Sequence, residues 1–575
     1  MERLNAIYTR PRECHDCHKC IRECPVKAIR VQDTYACVVP EVCILCGNCV
    51  QVCPSGAKQV RDDLPQAKAL LQGAGKVFAS IAPSFVARYP HLRPAQLIHA
   101  LKKLGFFAVS ETALGAQQVS AAAHTQMLRE DRQIRISSAC PVVVDLIAKY
   151  HPDCQPYLSS LLSPLLTHCK MLRRQFGEEI SIVFIGPCIA KKREAEAHPE
   201  LLDIVLTFED LDRWLAAEGI RLEEAEADQD DRFMPEAAQE GAFYPIDGGM
   251  APGLTGSPSL ANMQFLSFSG MEAVEQTLRD IPGWNPAHNI FLELTACAGS
   301  CINGPKAASR NSVARRRYDI VRYAHTADPL PRPATIDICQ AYQAAPVQRE
   351  HFGELQLRES LRTIGKYTAA DELDCGGCGY DSCREFAHAL IAGNAEHMMC
   401  ATYTRKLAQK KAHALLQRMP SAVVIVNQEL RILECNASFV RLFTDGSESP
   451  VDLEGRPLGT TIPFSNLFRR VIDSGEDIVN HDIRFFRSIL NTSIFAIEQQ
   501  SVIGGIFRDI TEPTFQKEQI VARTQAVIEK NLKTVQQIAY LLGENAADSE
   551  IILNSIVRSF SPEEVDGGPE ASLGE

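Results

Sequence analysis

The sequence predicts a multidomain protein that combines α/β and α+β folds. Its 575 residues exceed what one hydrophobic core usually organises, so we expect roughly three to five domains. Residues 75–352 alternate β-rich runs with helical patterns, which is typical of a mainly parallel, three-layer α/β core. Most of the 21 cysteines fall into closely spaced groups. In a chain with no visible secretion signal, such groups indicate metal ligation rather than disulfides.

Residues 1–62 contain two cysteine runs of the same spacing, C-x2-C-x2-C-x3-C-P. This is the run of the bacterial two-cluster ferredoxins, in which the fourth cysteine of each run ligates the other cluster. A zinc site is the alternative, because C-x-x-C pairs also bind zinc. The ferredoxin interpretation predicts two 4Fe–4S clusters, the first held by Cys14, Cys17, Cys20 and Cys53, the second by Cys43, Cys46, Cys49 and Cys24.

Three loops of the α/β region carry a cysteine shortly after an apolar, β-rich run. These runs are Ile134–Ile136, Ile182–Ile185 and Phe291–Leu294. Because α/β proteins build their sites at the carboxyl ends of strands, we expect the three loops to converge. Four thiolates gathered from distant loops can hold an iron–sulfur cluster. The cysteines concerned are Cys140, Cys188, Cys297 and Cys301.

These loops resemble the three sequence motifs of the FeFe hydrogenases, in the same order. The matched segments are Ser138–Pro141, Pro187–Lys192 with Glu194, and Glu293-x3-Cys297-x3-Cys301. The resemblance implies an H-cluster, in which a 4Fe–4S cubane held by the four cysteines is bridged through Cys301 to a diiron unit with CO and cyanide ligands. It further implies a charge-assisted hydrogen bond from Lys191 to a cyanide. Lys191, Glu194 and Cys301 are therefore the candidate catalytic residues.

The departures from the family pattern lie where the diiron unit is expected. Fast enzymes of the family carry a proton-relaying cysteine directly before the first ligand, and this chain has Ala139 there. A methyl group transfers no proton, so this path is cut. Two family methionines are replaced by Gly186 and Thr295, whereas Glu194 is retained. Together with the C-terminal domain described below, these changes resemble the sensory FeFe hydrogenases.

Residues 356–405 form a small unit with the spacing C-x2-C-x4-C-x16-C. Three glycines between its first three cysteines would let the backbone wrap closely around a metal centre. The unit resembles the 4Fe–4S module of corrinoid iron–sulfur proteins and redox-driven pump subunits, with a zinc knuckle as the alternative. The resemblance implies a third 4Fe–4S cluster outside the H-cluster, held by Cys375, Cys378, Cys383 and Cys400.

Residues 418–512 follow a helical connector and read as strand, strand, short helix and, at the end, a final strand. The last strand leads into Asp509-Ile510-Thr511-Glu512. This order resembles a PAS sensor domain, and another α+β domain with a hairpin is the alternative. The sequence leaves the ligand of the PAS domain open, with His481 as the one histidine of 421–512 that could ligate haem.

Residues 513–560 are expected to be helical, and residues 561–575 are acidic, rich in Gly and Pro, and expected to be disordered. A 4-3-4-3 spacing of apolar residues predicts a short coiled-coil seam that could support a homodimer, unless this face packs against the PAS domain. The seam residues are Ile528, Leu532, Val535, Ala539 and Leu542.

The net charge and the hydropathy of the chain limit the classes of partner that we expect. The net charge of −12 argues against nucleic acid, and no window approaches 18 uninterrupted apolar residues, so no membrane span is expected. We expect a cytoplasmic protein that uses hydrogen and protons, exchanges electrons with a redox carrier and contacts a signalling protein through its PAS domain and C-terminal helix.

Three functions fit these patterns. The first, which we expect, is a hydrogen sensor with slow, reversible hydrogen oxidation and an output through the PAS domain. The second is a non-enzymatic iron–sulfur redox sensor or scaffold that lacks the diiron unit. The third is a turnover hydrogenase, which the missing relay cysteine disfavours, since acid–base groups typically contribute 10²–10⁴-fold in rate.

Overall fold

The computed structural model describes residues 4–510 and, beyond them, 526–531 and 533–534. Within 4–510 it omits 74, 130–132, 256–259, 261, 308–310, 327–332, 349, 446–447 and 499–500. The chain divides into two compact units, Met1–His397 and Met398–Glu575. Among the helices in the described ranges, none combines the length and the apolar character that crossing a membrane would require.

The N-terminal part of the first unit has little regular structure and consists mainly of loops that carry cysteines. Its two short helices each follow a residue in the left-handed conformation, His18 and Gly47. Both antiparallel strand pairs are short, β1 with β4 and β2 with β3, in the following elements: β1 (Ile7–Thr9), α1 (Lys19–Arg22), β2 (Ile29–Gln32), β3 (Tyr35–Val38), α2 (Asn48–Gln51) and β4 (Lys58–Val60).

The central part of the first unit contains two parallel sheets. The seven strands that form them are β5 (Val77–Ile81), β6 (Ala108–Glu111), β7 (Ile134–Ile136), β8 (Ser181–Gly186), β9 (Ile204–Thr207), β10 (Met263–Ser269) and β11 (Asn289–Thr295). One sheet has the order β6-β5-β8-β9 and the other β10-β11-β7, with every pairing parallel. The predicted α/β class is confirmed, and the division of the strands between two sheets is a feature that the sequence pattern did not reveal.

Helices connect and cover these strands. They are α3 (Leu64–Leu71), α4 (Phe85–Arg88), α5 (Pro94–Lys103), α6 (Ala113–Arg129), α7 (Pro141–Tyr150), α8 (Pro164–Phe176), α9 (Lys191–Ala197), α10 (Phe208–Ala217), α11 (Met271–Asp280) and α12 (Val313–Tyr323). Helix α6 passes so close to the start of α8 that a Cβ at Gly115 would lie 2.1 Å from the carbonyl oxygen of Pro164. The two helices therefore pack closely beneath the four-stranded sheet, where Phe78, Val183 and Leu165 are fully buried.

The small cysteine unit begins with α13 (Glu354–Thr363) and continues in α14 (Cys383–Ile391). Ser382 caps α14, because its hydroxyl accepts a hydrogen bond from the backbone N–H of Glu385. Asp374 also contacts the start of α14, because its Oδ1 accepts a hydrogen bond from the backbone N–H of Cys383 at 2.6 Å.

The second unit is an α+β fold with a five-stranded antiparallel sheet. Its elements are α15 (Ala401–Arg418), β12 (Ala422–Asn427), β13 (Ile432–Cys435), α16 (Ala437–Phe443), α17 (Pro450–Leu453), α18 (Asn466–Ser474), β14 (Ile478–Phe485), β15 (Ser488–Glu498) and β16 (Val502–Asp509). The sheet order is β13-β12-β16-β15-β14. The strands and the short helix expected from the sequence are present. Of the predicted coiled-coil seam, Leu532, Val535, Ala539 and Leu542 lie outside the described residues, as does 561–575.

Candidate functional site

The three cysteine loops of the central domain open onto one cavity. Strand β7 ends shortly before Cys140, β8 ends directly before Pro187-Cys188, and β11 ends two residues before Cys297. A cavity of about 120 Å³ is lined by all four predicted cubane cysteines, namely Cys140, Cys188, Cys297 and Cys301. The structure thus brings together four thiols from three loops that are far apart in the sequence.

Local backbone geometry aims the loops at this cavity. Pro141 starts α7, so the helix begins directly after Cys140. In the third loop, Gly299 and Ser300 both have positive φ, 75° and 63°, which reverses the chain between its two cysteines. The second and third loops also touch, because a Cβ at Gly304 would lie 2.9 Å from that of Pro187.

The electrostatics of these thiols favour a positively charged cluster. Burial raises the pKa of Cys188 to about 11, and the nearby Lys191 ammonium opposes that shift. Burial and the neighbouring thiols raise the pKa of Cys297 and of Cys301 well above the usual range. Several buried thiolates are therefore unfavourable beside one another unless metal ions neutralise them. Four such thiols around a cavity fit the donor set of an iron–sulfur cubane.

Lys191 and Glu194 form one hydrogen-bonded group at the cavity wall. The Nζ of Lys191 donates to Oε2 of Glu194 at 2.7 Å and to Oγ of Ser163 at 3.1 Å. Ser163 also donates to Oε2 of Glu194, at 3.0 Å. Lys191 is buried and lines the cavity. An ammonium has three donors, so these contacts leave one for a ligand in the cavity.

The positions that depart from the family pattern also line or adjoin the cavity. Ala139 contributes a methyl group to the wall. At Gly186 a side chain has no room, because a Cβ there would lie 2.5 Å from Cζ of Phe184, and that ring lines the cavity instead. Met250, which comes from a loop with no sequence signal, lines it as well and accepts a hydrogen bond from Ser137. The cavity is thus repacked around an otherwise preserved set of thiols.

Glu293 is a cavity residue that the sequence analysis named only as part of the third motif. It is buried, and its Oε2 accepts from the N–H of Met250 at 3.1 Å. Burial, with a smaller effect of Asp247, raises the pKa of Glu293 to about 8. A protonated carboxyl at this wall can donate a hydrogen bond into the cavity at neutral pH.

The N-terminal cysteine region packs against the third loop. Cys46 and Cys297 line a common second cavity, and a Cβ at Gly47 would lie 2.5 Å from that of Pro305. Of the predicted ferredoxin ligands, Cys17 is exposed, while the others are buried or half-buried: Cys14, Cys20, Cys24, Cys43, Cys46, Cys49 and Cys53. Within the described ranges, no three Cys, His, Asp or Glu side chains are arranged to hold a single metal ion.

The small unit also contacts the N-terminal region. Lys27 donates through Nζ to the carbonyl of Gly379 at 3.0 Å, and a Cβ at Gly379 would lie 2.9 Å from that of Ile21. Burial raises the pKa of the Tyr380 hydroxyl, and the nearby thiols of Cys378 and Cys24 add to that shift. Cys375 is exposed, Cys378 half-buried and Cys383 buried, whereas Cys400 belongs to the second unit and is buried there.

Comparison with known families identifies the domain that carries the central cavity. Residues 75–305 match the family model of the iron only hydrogenase large subunit, C-terminal domain. The central domain is an iron-only hydrogenase domain. Before the hydrogenase domain, residues 13–57 match a 4Fe-4S dicluster domain, and after it residues 371–402 match a family model for an Fe-S cluster. Both matches favour iron–sulfur clusters over the zinc alternatives.

Individual relatives of the hydrogenase domain are distant. Iron hydrogenase 1 of Clostridium pasteurianum is 22% identical over 287 residues, which cover 42% of this chain and 50% of that protein. The chain therefore spans about half the length of this curated relative. A variant of apo FeFe-hydrogenase HydA1 from Chlamydomonas reinhardtii is 17% identical, with 50% of this chain and 100% of that chain covered and a TM-score of 0.41. The PAS domain of nitrogen regulation protein NR(II) from Vibrio parahaemolyticus is 22% identical, covering 17% and 97%, with a TM-score of 0.15.

These findings confirm the predicted hydrogenase, ferredoxin and iron–sulfur resemblances at the level of families and fold. The role of each cysteine as a ligand, and the catalytic roles of Lys191, Glu194 and Cys301, stay predictions.

Proposed function

We propose that this protein is a hydrogen sensor, which oxidises and forms hydrogen slowly at an H-cluster and reports the resulting redox change through its PAS-like domain. One observation carries the proposal. Four thiols that the three hydrogenase motifs supply line a single cavity, and Lys191 lines it with them. The family match of residues 75–305 supports the same site.

In this proposal the chain holds the cofactor in two ways. Cys140, Cys188, Cys297 and Cys301 would hold the cubane. The remaining donor of Lys191 would bind a cyanide ligand, and Glu194 and Ser163 position Lys191 for this contact. When bound, the diiron unit would supply a site where hydrogen is split heterolytically into a proton and a hydride, and oxidation of the hydride would give a second proton and two electrons.

The contacts of the first unit suggest where the electrons go. Cys46 lies across a shared cavity from Cys297, so the second ferredoxin cluster would adjoin the cubane. Cys24, which the ferredoxin pattern assigns to that same cluster, lies close to Tyr380 of the small unit. The second ferredoxin cluster would then exchange electrons with the cubane on one side and with the small module on the other.

Ala139 and the PAS-like fold favour a sensor over a turnover enzyme. Ala139 lines the cavity where the family's relay thiol would stand, and a missing acid–base group slows proton transfer. A sensor needs only to bind hydrogen and change the redox state of its clusters, whereas a turnover enzyme also needs rapid proton transfer.

Infrared spectroscopy of the anaerobically maturated protein tests the cofactor. We expect CO and cyanide stretching bands and about 18 iron atoms per chain, from four cubanes and one diiron unit. A protein with full cubanes and no such bands would instead be an iron–sulfur scaffold or redox sensor.

Hydrogen exchange measured by mass spectrometry tests the output. Oxidised protein exposed to hydrogen should change its backbone protection in 401–418 or in the antiparallel sheet, because a sensor must bias a two-state element there. The same protein under argon is the control. Changes confined to residues 1–397 would contradict the sensor function while leaving the hydrogenase site intact.

A further inference from the structure

A chain of hydrogen-bonded side chains runs from the cavity to the protein surface. Thr295 lines the cavity, and its Oγ1 lies 2.9 Å from Oγ of Ser300. Ser300 is fully buried and donates to Oδ1 of Asp247 at 2.7 Å. The Asp247 side chain is 32% exposed. The chain thus begins at the cavity wall, crosses the protein interior and ends at a carboxylate in contact with solvent.

The direction of these hydrogen bonds can be deduced from the number of protons. A hydroxyl has one proton to donate. Because Ser300 gives its proton to Asp247, its oxygen must accept from Thr295. The lone pairs of Thr295 then remain available on the cavity side. All donors therefore point outward, toward the carboxylate.

The carboxylate end of the chain is held in place by an arginine. Arg317 places Nη1 3.9 Å from Oδ2 of Asp247, and Nη2 donates to the Asp247 carbonyl at 3.1 Å. The Arg317 side chain is half exposed. These contacts fix Asp247 between Ser300 and solvent, so the Asp247 carboxylate can accept the proton that Ser300 donates.

We propose that Thr295, Ser300 and Asp247 relay protons between the cavity and solvent, in place of the path that the methyl group of Ala139 interrupts. This inference rests on the proposed function. Oxidation of one hydrogen molecule at a bound H-cluster would release two protons and two electrons, and the clusters that the cysteines would hold could take up the electrons. Each proton binds Oγ1 of Thr295 while the Thr295 hydroxyl proton moves to Ser300. The Ser300 proton moves to Asp247, which passes it to water, and hydrogen formation reverses the sequence.

A second hydroxyl on the cavity wall provides the matched comparison. Thr112 also lines the cavity, and its chain runs through Ser80 to His168 and on to Ser110, with each contact at 2.8 Å. All of these residues are buried. Burial lowers the pKa of His168 to about 3, so its imidazole is neutral at pH 7. In the described structure this chain ends in the core, so it offers no exit for protons.

The test compares Thr295→Val, Ser300→Ala and Asp247→Asn with Thr112→Val in the full-length, maturated protein. Valine keeps the shape of threonine and removes only the hydroxyl. Infrared bands establish first that each variant carries CO and cyanide ligands like the wild type. We then expect turnover to fall at least about 10²-fold in Thr295→Val, within the range of acid–base contributions, and to fall by less than about ten-fold in Thr112→Val. The solvent deuterium isotope effect should rise in the three relay variants.

Chemical rescue separates a relay from a structural role. Weak acids such as acetate or imidazole buffer, added at high concentration, should restore part of the turnover of Asp247→Asn, because they can supply protons to Ser300 from solvent. Thr295→Val with intact bands, wild-type turnover and an unchanged isotope effect would overturn the relay alone. A wild-type protein without CO and cyanide bands would overturn the proposed function and the relay with it.

Discussion

A buried ion pair joins the end of the ferredoxin region to the helix that carries Lys191. Lys192 is fully buried and donates through Nζ to Oδ2 of Asp63 at 2.7 Å and to the carbonyl of Val205 at 2.8 Å. Arg61 binds the other carboxylate oxygen of Asp63, also at 2.7 Å. These contacts hold the pKa of Asp63 below its usual value, mainly through Arg61 and Lys192 against the effect of burial.

Lys192→Met removes the ammonium but keeps a side chain of similar length. Breaking a buried pair typically costs 3–5 kcal/mol, and the lower end, about 3 kcal/mol, applies because Arg61 still contacts Asp63. At about 2.1 cal/mol/K per residue, unfolding of residues 1–397 as one unit has an entropy of about 0.8 kcal/mol/K. The melting temperature should therefore fall by about 4 °C.

Thermal unfolding followed by circular dichroism under anaerobic conditions measures this shift. Lys103→Met, at an exposed lysine in the last turn of α5, is the control and should shift the midpoint by less than about 1 °C. Equal midpoints for the two variants, at equal iron content, would refute the claim that the Lys192–Asp63 pair stabilises the domain junction.

Three further predictions concern the clusters, the relay and pH. Cys378→Ser should lose about four irons and leave the ferredoxin electron paramagnetic resonance signals intact, and unchanged iron would show that the small module holds no cluster. Ala139→Cys should raise hydrogen production with a strong artificial reductant by at most about ten-fold, since Gly186 and Thr295 are unchanged, and no gain despite full infrared bands would count against a cut relay. Burial raises the pKa of Glu111 to about 7 from an ordinary value of 4.5, so the folded state binds more protons than the unfolded state between these values. Wild-type stability should then fall by up to about 3 kcal/mol as pH rises through this window, whereas Glu111→Gln should show no such loss, and parallel melting curves at pH 5 and 8 would contradict this.

The cysteine chemistry was predictable because its rules are local. The repeated spacing of the N-terminal runs and the ordered hydrogenase motifs depend on a few neighbouring residues, and they led to the families that the comparisons confirm. The convergence of Cys140, Cys188, Cys297 and Cys301 followed from a general property of parallel strands, whose carboxyl ends form sites.

What the sequence did not reveal depends on long-range packing. No pattern in the chain says which strands pair, so the separation into two sheets was not expected. The ring of Phe184 occupies the space beside Gly186, and Met250 reaches the cavity from an irregular loop. The contact of Ser300 with Asp247 joins residues 53 positions apart. The contacts of Asp231 with His99 and Lys102 likewise join residues 132 and 129 positions apart.

The four predicted cubane cysteines follow strands that belong to two different sheets. Cys140, Cys297 and Cys301 follow strands of the three-stranded sheet, whereas Cys188 follows a strand of the four-stranded sheet. A cluster ligated by all four would act as a cross-link between two sheets that, among the described residues, share no backbone hydrogen-bonded ladder. Since the free energy of metal binding adds to that of folding, assembly of the cluster would lock the two halves of the domain together. Limited proteolysis before and after cluster loading would test this, because the segments that connect the sheets should be cleaved more slowly once the cluster is bound.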